Sequence, residues 1–237
     1  MSPEQYVGSE LELFSAAHHW KSYFSELVRP HLGVKVLEVG AGLGGTTKIL
    51  TRGFSGTWVC LEPDSTLAGN IDRAIAIGKL PTTCRVATGT LSTLPELERF
   101  DSILYIDVLE HIEDDATEAA LAAVRLSPGG KLIVLSPAYQ WLFSPFDRAI
   151  GHFRRYSKST LLAAIPSSLQ LVQFSYLDSV GLLASAGNRF VTRASNPTPA
   201  QVGLWDRVMV PMSRVLDPLV LNSFGKSVFG VWAKPAH

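Results

Sequence analysis

From Val34 onward, short and almost unbroken apolar runs at 34–39, 57–62, 83–87, 102–107 and 131–136 alternate with stretches whose apolar positions recur every three or four residues. Runs this apolar do not suit a sheet with one wet face. They predict parallel strands covered on both sides by helices, which are predicted over 46–52, 65–77 and 116–126. The Ser127-Pro128-Gly129-Gly130 turn closes the last of these. Right-handed crossovers then set a doubly wound, Rossmann-like α/β sheet. Upstream, Leu13, Phe14, Ala17, Trp20, Phe24 and Leu27 share one face of a leading helix that ends near Pro30. Beyond Pro137 the rhythm changes to an aromatic, basic stretch over 139–156, a helix over 159–165, a strand over 169–176 and a final strand over 228–233. The expected fold is a single domain with a seven-stranded sheet and an antiparallel last strand. Its parts are an N-terminal helical cap over 1–32, a core over 33–178, a helical insertion over 179–226 and the closing strand over 227–237.

The insertion carries Leu204, Val208, Met212, Val215 and Leu219 at helical steps, interrupted by Pro211. This predicts a kinked helix laying an apolar face over the open end of the sheet. Leu182, Leu183, Phe190 and Trp205 would add to a pocket for a partly apolar acceptor.

Composition narrows the partners. With 46% hydrophobic and 18% charged residues the chain can bury a large core, and disorder is excluded. Lys+Arg 21 balances Asp+Glu 21, so no broad electrostatic grip on nucleic acid is expected. No basic-then-apolar leader opens the sequence, and no apolar run reaches the roughly 18 residues of a membrane span, so a cytoplasmic protein without stable membrane insertion is expected. A homodimer is compatible with the composition. Cys60 and Cys84 sit inside apolar strands with no C-x-x-C spacing, which predicts reduced core thiols, no zinc site and no metal.

The first strand runs directly into Gly40-Ala41-Gly42-Leu43-Gly44-Gly45 and then a helix. Glycines there allow a tight turn and close approach of a nucleotide-like ligand to bare backbone. Glu62 follows Gly44 by 18 residues, where an acid accepts hydrogen bonds from ribose hydroxyls. Gly40, Gly42 and Gly45 also satisfy the G-x-G-x-x-G pattern of dinucleotide enzymes, so an NAD(P)-dependent oxidoreductase is an alternative, as is a non-catalytic cofactor-binding partner subunit. Glu38 separates the readings: a carboxylate beside a pyrophosphate repels it, whereas one beside an amino or sulfonium group attracts it. A Tyr-x-x-x-Lys proton relay is also absent.

Four stretches at this spacing resemble the class I S-adenosylmethionine-dependent methyltransferases: Leu37-Glu38-Val39-Gly40-Ala41-Gly42-Leu43-Gly44, Cys60-Leu61-Glu62-Pro63-Asp64, Asp107-Val108-Leu109-Glu110-His111-Ile112 and Leu126-Ser127-Pro128-Gly129-Gly130-Lys131-Leu132. Three further segments, 17–23, 151–156 and 224–227, are similar to a bacterial small-molecule subgroup. The resemblance implies S-adenosylmethionine as cofactor and transfer of a methyl group to the oxygen or nitrogen of a small acceptor. It places Glu38, Gly40, Gly42, Gly44, Glu62, Pro63, Thr90, Leu91, Asp107 and Val108 around the cofactor. Gly89-Thr90-Leu91 departs from the family, which commonly has an Asp facing adenine; Thr90 offers a hydroxyl without charge.

In-line transfer to a hydroxyl or protonated amine calls for a base, for which histidine suits neutral pH. His152, after the fifth strand, is the first candidate and His111 the second. Arg154 and Arg155 with Tyr156 would suit a carboxylate or phosphate on the acceptor, or would instead pin the loop by pairing with Asp147 or Glu10. His19, Tyr23, Tyr139 and Trp205 complete the expected acceptor side.

Overall fold

The computed structural model describes residues 10–187 and 197–236. Seven strands, β1 (Lys35–Val39), β2 (Thr57–Glu62), β3 (Cys84–Thr88), β4 (Phe100–Ile106), β5 (Leu126–Pro137), β6 (Gln170–Leu177) and β7 (Ser227–Ala233), form one sheet. Their order is β3-β2-β1-β4-β5-β7-β6, and only β7 runs antiparallel to its neighbours. The expected doubly wound sheet with an antiparallel last strand is therefore present. β1 is the pivot: Val39 pairs with Leu61 of β2 on one side and Tyr105 of β4 on the other. The chain thus delivers Gly40, Glu62 and Asp107 to the same edge, the switch point where open α/β sheets bind ligands.

The strands read as continuous apolar runs because both faces are buried. Leu37, Val39, Ile103 and Tyr105 pack against Ala119 and Ala122 of α5 (Asp115–Arg125). On the other face Val36, Trp58, Cys60 and Leu104 meet Trp20 and Phe24 of the leading helical segment. Cys60 and Cys84 are buried and unbridged, and burial pushes the Cys84 thiol up to about 11. Among the described residues no helix is long and apolar enough to cross a membrane.

The single leading helix expected over 10–30 is two helices, α1 (Glu10–Ser15) and α2 (His18–Val28), followed by a tight turn at Arg29–His31. Lys21 Nζ donates to the carbonyls of Phe14 and Ser15 at 3.1 and 2.8 Å, closing the end of α1. The start of α2 has no capping side chain of its own. Asp206 supplies one from 186 residues away, accepting from Trp20 N–H at 2.9 Å and from His19 N–H at 3.2 Å. Elsewhere local signals suffice: Asp64 caps α4 (Ser65–Ala76) and Gly44, in the left-handed region, precedes α3 (Gly45–Leu50). The 127–130 turn is absorbed into β5, where Gly129 takes φ +75°.

After β5 come α6 (Pro145–Ala149), α7 (Lys158–Ala164) and β6, then α8 (Ser179–Gly187), α9 (Pro199–Leu204), a π-turn at Trp205–Met209 and α10 (Val210–Leu219). Pro211 sits in the first turn of α10, directly after that π-turn. The predicted orientation of the stripe is wrong. Leu204, Val208, Met212, Val215 and Leu219 are all exposed, Leu219 at 74%, while Asp206, Ser213 and Asp217 are buried. Hydrogen bonding decided the rotation. Asp217 accepts from Tyr23 Oη (2.8 Å), Asp178 N–H (2.7 Å) and Ser179 N–H (3.0 Å), and Ser213 donates to Asp178 at 2.8 Å. Leu182 is buried and Leu183 exposed; Phe190 lies outside the described residues.

Candidate active site

A cavity of about 1890 Å³ opens along the carboxyl ends of the parallel strands. Its volume exceeds what a nucleotide-sized ligand alone requires. Of the residues expected around a cofactor, Glu38, Gly40, Gly42, Glu62, Pro63, Thr90, Asp107 and Val108 line it. Gly44 and Leu91 do not. Gly44 turns toward Leu80 and Ile71 and shapes the start of α3, and Leu91 is fully buried in the core.

Gly40 and Gly42 both have positive φ, and a Cβ on Gly40 would stand 2.7 Å from Val108 Cγ2. Only glycine fits that position. The amides of this elbow are turned inward. Those of Gly40 and Ala41 donate to the Leu61 carbonyl at 2.8 and 3.2 Å, that of Gly42 to Glu62 Oε2 at 2.7 Å, and that of Gly44 to the Ala41 carbonyl at 2.9 Å. The amides of Gly40, Ala41, Gly42 and Gly44 are therefore already engaged and are not offered to a pyrophosphate. Leu11 of α1 comes within 3.5 Å of where a Gly42 side chain would begin, covering the elbow from above.

Three acids surround it, of which Glu38 and Glu62 are buried. Glu38 Oε2 accepts from Thr47 Oγ1 at 2.6 Å and Trp58 Nε1 at 2.8 Å, yet burial pushes its carboxyl up to about 7. Glu62 is raised by burial too, and its two oxygens hold the amides of Gly42 and Asp64. Asp107, at φ +54° just past β4, is pushed by burial to about 6 while His152, Lys226 and Lys21 pull it back. Three carboxylates with raised values, two of them buried, form an environment that favours a cationic ligand.

On the acceptor side the structure brings together His111, His152, Arg155 and Trp205, all lining the cavity. The rings of His111 and His152 meet edge to face at 4.4 Å. His152 Nδ1 lies 3.1 Å from Asp147 Oδ1, and burial lowers His111 to about 4, so its ring is neutral at pH 7. Arg155 grips Asp147 with two bonds of 2.8 and 3.0 Å, while Arg154 pairs with Asp115 at 2.6 Å. The loop-pinning role through Asp147 is thus realised, and the Glu10 side chain lies outside the described residues. Arg154, Tyr156, Tyr23, Tyr139 and His19 do not reach the cavity. Tyr156 donates to Asp115 (2.7 Å) and Tyr23 to Asp217 (2.8 Å), both buried; Tyr139 stacks on Tyr176 at 5.1 Å; His19 is exposed, its amide held by Asp206.

Trp20 of the leading helix lines the cavity as the sequence suggested, while sequence reasoning missed Lys21, Glu110, Asp147 and Lys226 as cavity residues. Lys226 Nζ lies 4.9 Å above the Trp205 ring, whose own N–H donates to Asp178 at 2.7 Å, and Trp20 packs against the same ring at 5.8 Å. Glu110 is fully buried at the foot of the histidines.

Residues 37–134 match the family model described as a methyltransferase domain. A ubiquinone biosynthesis O-methyltransferase of Paramagnetospirillum magneticum is 32% identical over 123 residues, which span 47% of this chain and 45% of that protein. Solved structures share the fold at lower identity. Geranyl diphosphate methyltransferase in complex with S-adenosylmethionine is 15% identical with a TM-score of 0.66, covering 96% of this chain and 91% of that one. Coclaurine N-methyltransferase bound to N-methylheliamine and S-adenosylhomocysteine is 15% identical with a TM-score of 0.64, covering 92% and 73%. The [4+2]-cyclase SpnF, also at 15% and 0.64, covers 98% and 96%. Residues 37–134 thus resemble a methyltransferase domain, and the fold is one that these methyltransferases share. Since a cyclase shares the fold, activity has to be argued from the site.

Proposed function

We propose that this protein is an S-adenosylmethionine-dependent methyltransferase that methylates a hydroxyl of a small, partly apolar molecule. The observation that carries the reading is the elbow: the amides of Gly40, Ala41, Gly42 and Gly44 bond inside the protein, and buried Glu38 and Glu62, with Asp107 on the same cavity, surround it. That arrangement suits a sulfonium and an amino group and is hostile to a dinucleotide pyrophosphate. Glu62 is placed to accept from ribose hydroxyls, Gly40 and Gly42 to let the ligand approach, and Glu38 and Asp107 to face its positive charges. When bound, S-adenosylmethionine supplies an electrophilic methyl carbon whose bond to sulfur breaks, with the electron pair passing to sulfur, as the acceptor oxygen bonds to that carbon. The choice of oxygen draws on the O-methyltransferase relative.

The acceptor's proton has to go elsewhere. Asp147, itself clamped by Arg155 and Ser144, orients His152 so that Nδ1–H donates to the carboxylate and the Nε2 lone pair remains to take a proton. Trp20, Trp205 and Lys226 wall the acceptor side and exclude water. Calorimetric titration with S-adenosylhomocysteine and with NADH tests the cofactor, and mass spectrometry of acceptor panels tests the reaction by the gain of one methylene. His152→Ala should lower turnover by roughly 10²–10⁴ with cofactor affinity retained. Tight NADH binding without S-adenosylhomocysteine binding would refute the proposal.

A further inference from the structure

We propose that Glu110, His111 and His152 form a binding site for one divalent first-row transition-metal cation, open to the acceptor side of the cavity. One ligand atom from each of the three lies within 4.8 Å of the other two. A tetrahedral ion with bonds of about 2.1 Å holds its ligands roughly 3.4 Å apart, so modest side-chain rotation closes the set. Two imidazoles and a carboxylate suit zinc, iron, cobalt or nickel better than magnesium.

Glu110 supplies the independent observation. Its Oε2 accepts from Ser136 Oγ at 3.0 Å, but Oε1 is buried and has no hydrogen-bond partner. The nearest candidate, His152 Nε2, is 4.0 Å away, too far for a hydrogen bond. A buried oxygen left so is costly, and an ion seated between Oε1 and Nε2 removes the cost.

Two of the ligands are also braced on their far side: Asp147 receives His152 Nδ1, Arg155 and Ser144 lock Asp147, and Ser136 holds the second oxygen of Glu110. Outer-shell bracing of this kind orients ligands around metals.

The inference rests on the methyl-transfer reading for its purpose and not for its existence. Three protein ligands leave coordination positions facing the cavity. An acceptor hydroxyl bound there loses its proton more readily to Asp107 or to solvent, because the cation stabilises the oxyanion. The His152 lone pair is then bound to the ion, so His152 serves as base in the metal-free protein and as ligand in the loaded one.

The test is titration of the full-length protein, stripped with a chelator, with Co²⁺, followed by visible absorption and equilibrium dialysis. One equivalent should bind, be displaced by Zn²⁺, and weaken at least about a hundredfold in His111→Gln, His152→Gln and Glu110→Gln. S-adenosylhomocysteine binding in the presence of chelator reports whether each variant is folded. If one is not, X-ray absorption at the cobalt edge of the unmodified protein should show a nitrogen and oxygen shell with two imidazoles. Substoichiometric cobalt, equal affinity in all folded variants, or a sulfur shell would overturn the site. Cofactor-analogue binding without cobalt would sink the metal and leave methyl transfer standing; cobalt without the analogue would do the reverse.

Discussion

Glu62→Gln isolates the link between the glycine elbow and the cofactor. The carboxylate now accepts Gly42 N–H at 2.7 Å through one oxygen and Asp64 N–H at 3.0 Å through the other. An amide has a single carbonyl oxygen, so whichever way glutamine turns, one of those amides faces an NH₂ group. A buried donor left unpaired costs about 1–3 kcal/mol. Relief from burying a charge, the larger influence on Glu62, offsets part of this, leaving a net loss of about 1–2 kcal/mol and a melting point roughly 2–8 °C lower. Cofactor binding loses more, because ribose hydroxyls exchange charge-assisted bonds for weaker ones and the elbow itself is loosened. A further 1.5–3 kcal/mol corresponds to roughly a tenfold to hundredfold weaker affinity. Thermal unfolding with and without S-adenosylhomocysteine, with calorimetric titration, separates the two effects. Unchanged affinity in a variant with an unchanged melting point would refute the role assigned to Glu62; a lowered melting point with unchanged affinity would reduce it to a structural brace.

Two further outcomes are expected. Asp206→Ala removes two bonds to the first amides of α2 from a residue only 4% exposed, and should cost about 2–4 kcal/mol, lowering the melting point by roughly 5–15 °C with Asp206→Asn intermediate; an unchanged melting point would show that water caps α2 equally well. Burial raises Glu38 from its ordinary 4.5 to about 7, so between those values the folded chain holds a proton that the unfolded chain has released, and stability falls as pH rises through that window, by at most about 3 kcal/mol. Glu38→Gln should flatten the melting-point profile there, and cofactor binding near neutral pH should release a proton, measurable by calorimetry in buffers of different ionisation enthalpy; binding without proton release would show that the ligand's charge lies elsewhere.

The features legible from sequence are those whose partners are close along the chain. Gly40, Gly42 and Glu62 were readable because a strand, a tight turn and the next strand end place them together whatever the rest of the protein does. The inward-turned amides of the elbow were not, since they depend on the Leu61 carbonyl across a register that only the sheet sets. Lys21, Asp147 and Lys226 enter the cavity from three distant segments and carry no local signature. The stripe at 204–219 was misassigned for a related reason. Periodicity identifies the apolar face of a helix and assumes that it points inward, but three polar residues on the opposite face had buried partners waiting in α2 and after β6. Glu110 could have been suspected from its place beside His111; what exposes it is the oxygen without a donor.

The fastening of α2 by Asp206 has a consequence for the order of events at the ribosome. At roughly 5–20 residues per second, the helix emerges on the order of ten to forty seconds before the aspartate that completes it, 186 positions later, has been translated. Throughout that interval its leading amides are served by water, and the wall formed by Trp20 and Trp205 has only one of its two panels. A nascent chain can pair the first five strands in this time, since β6 waits for β7, but its cleft stays ajar until synthesis has passed the π-turn.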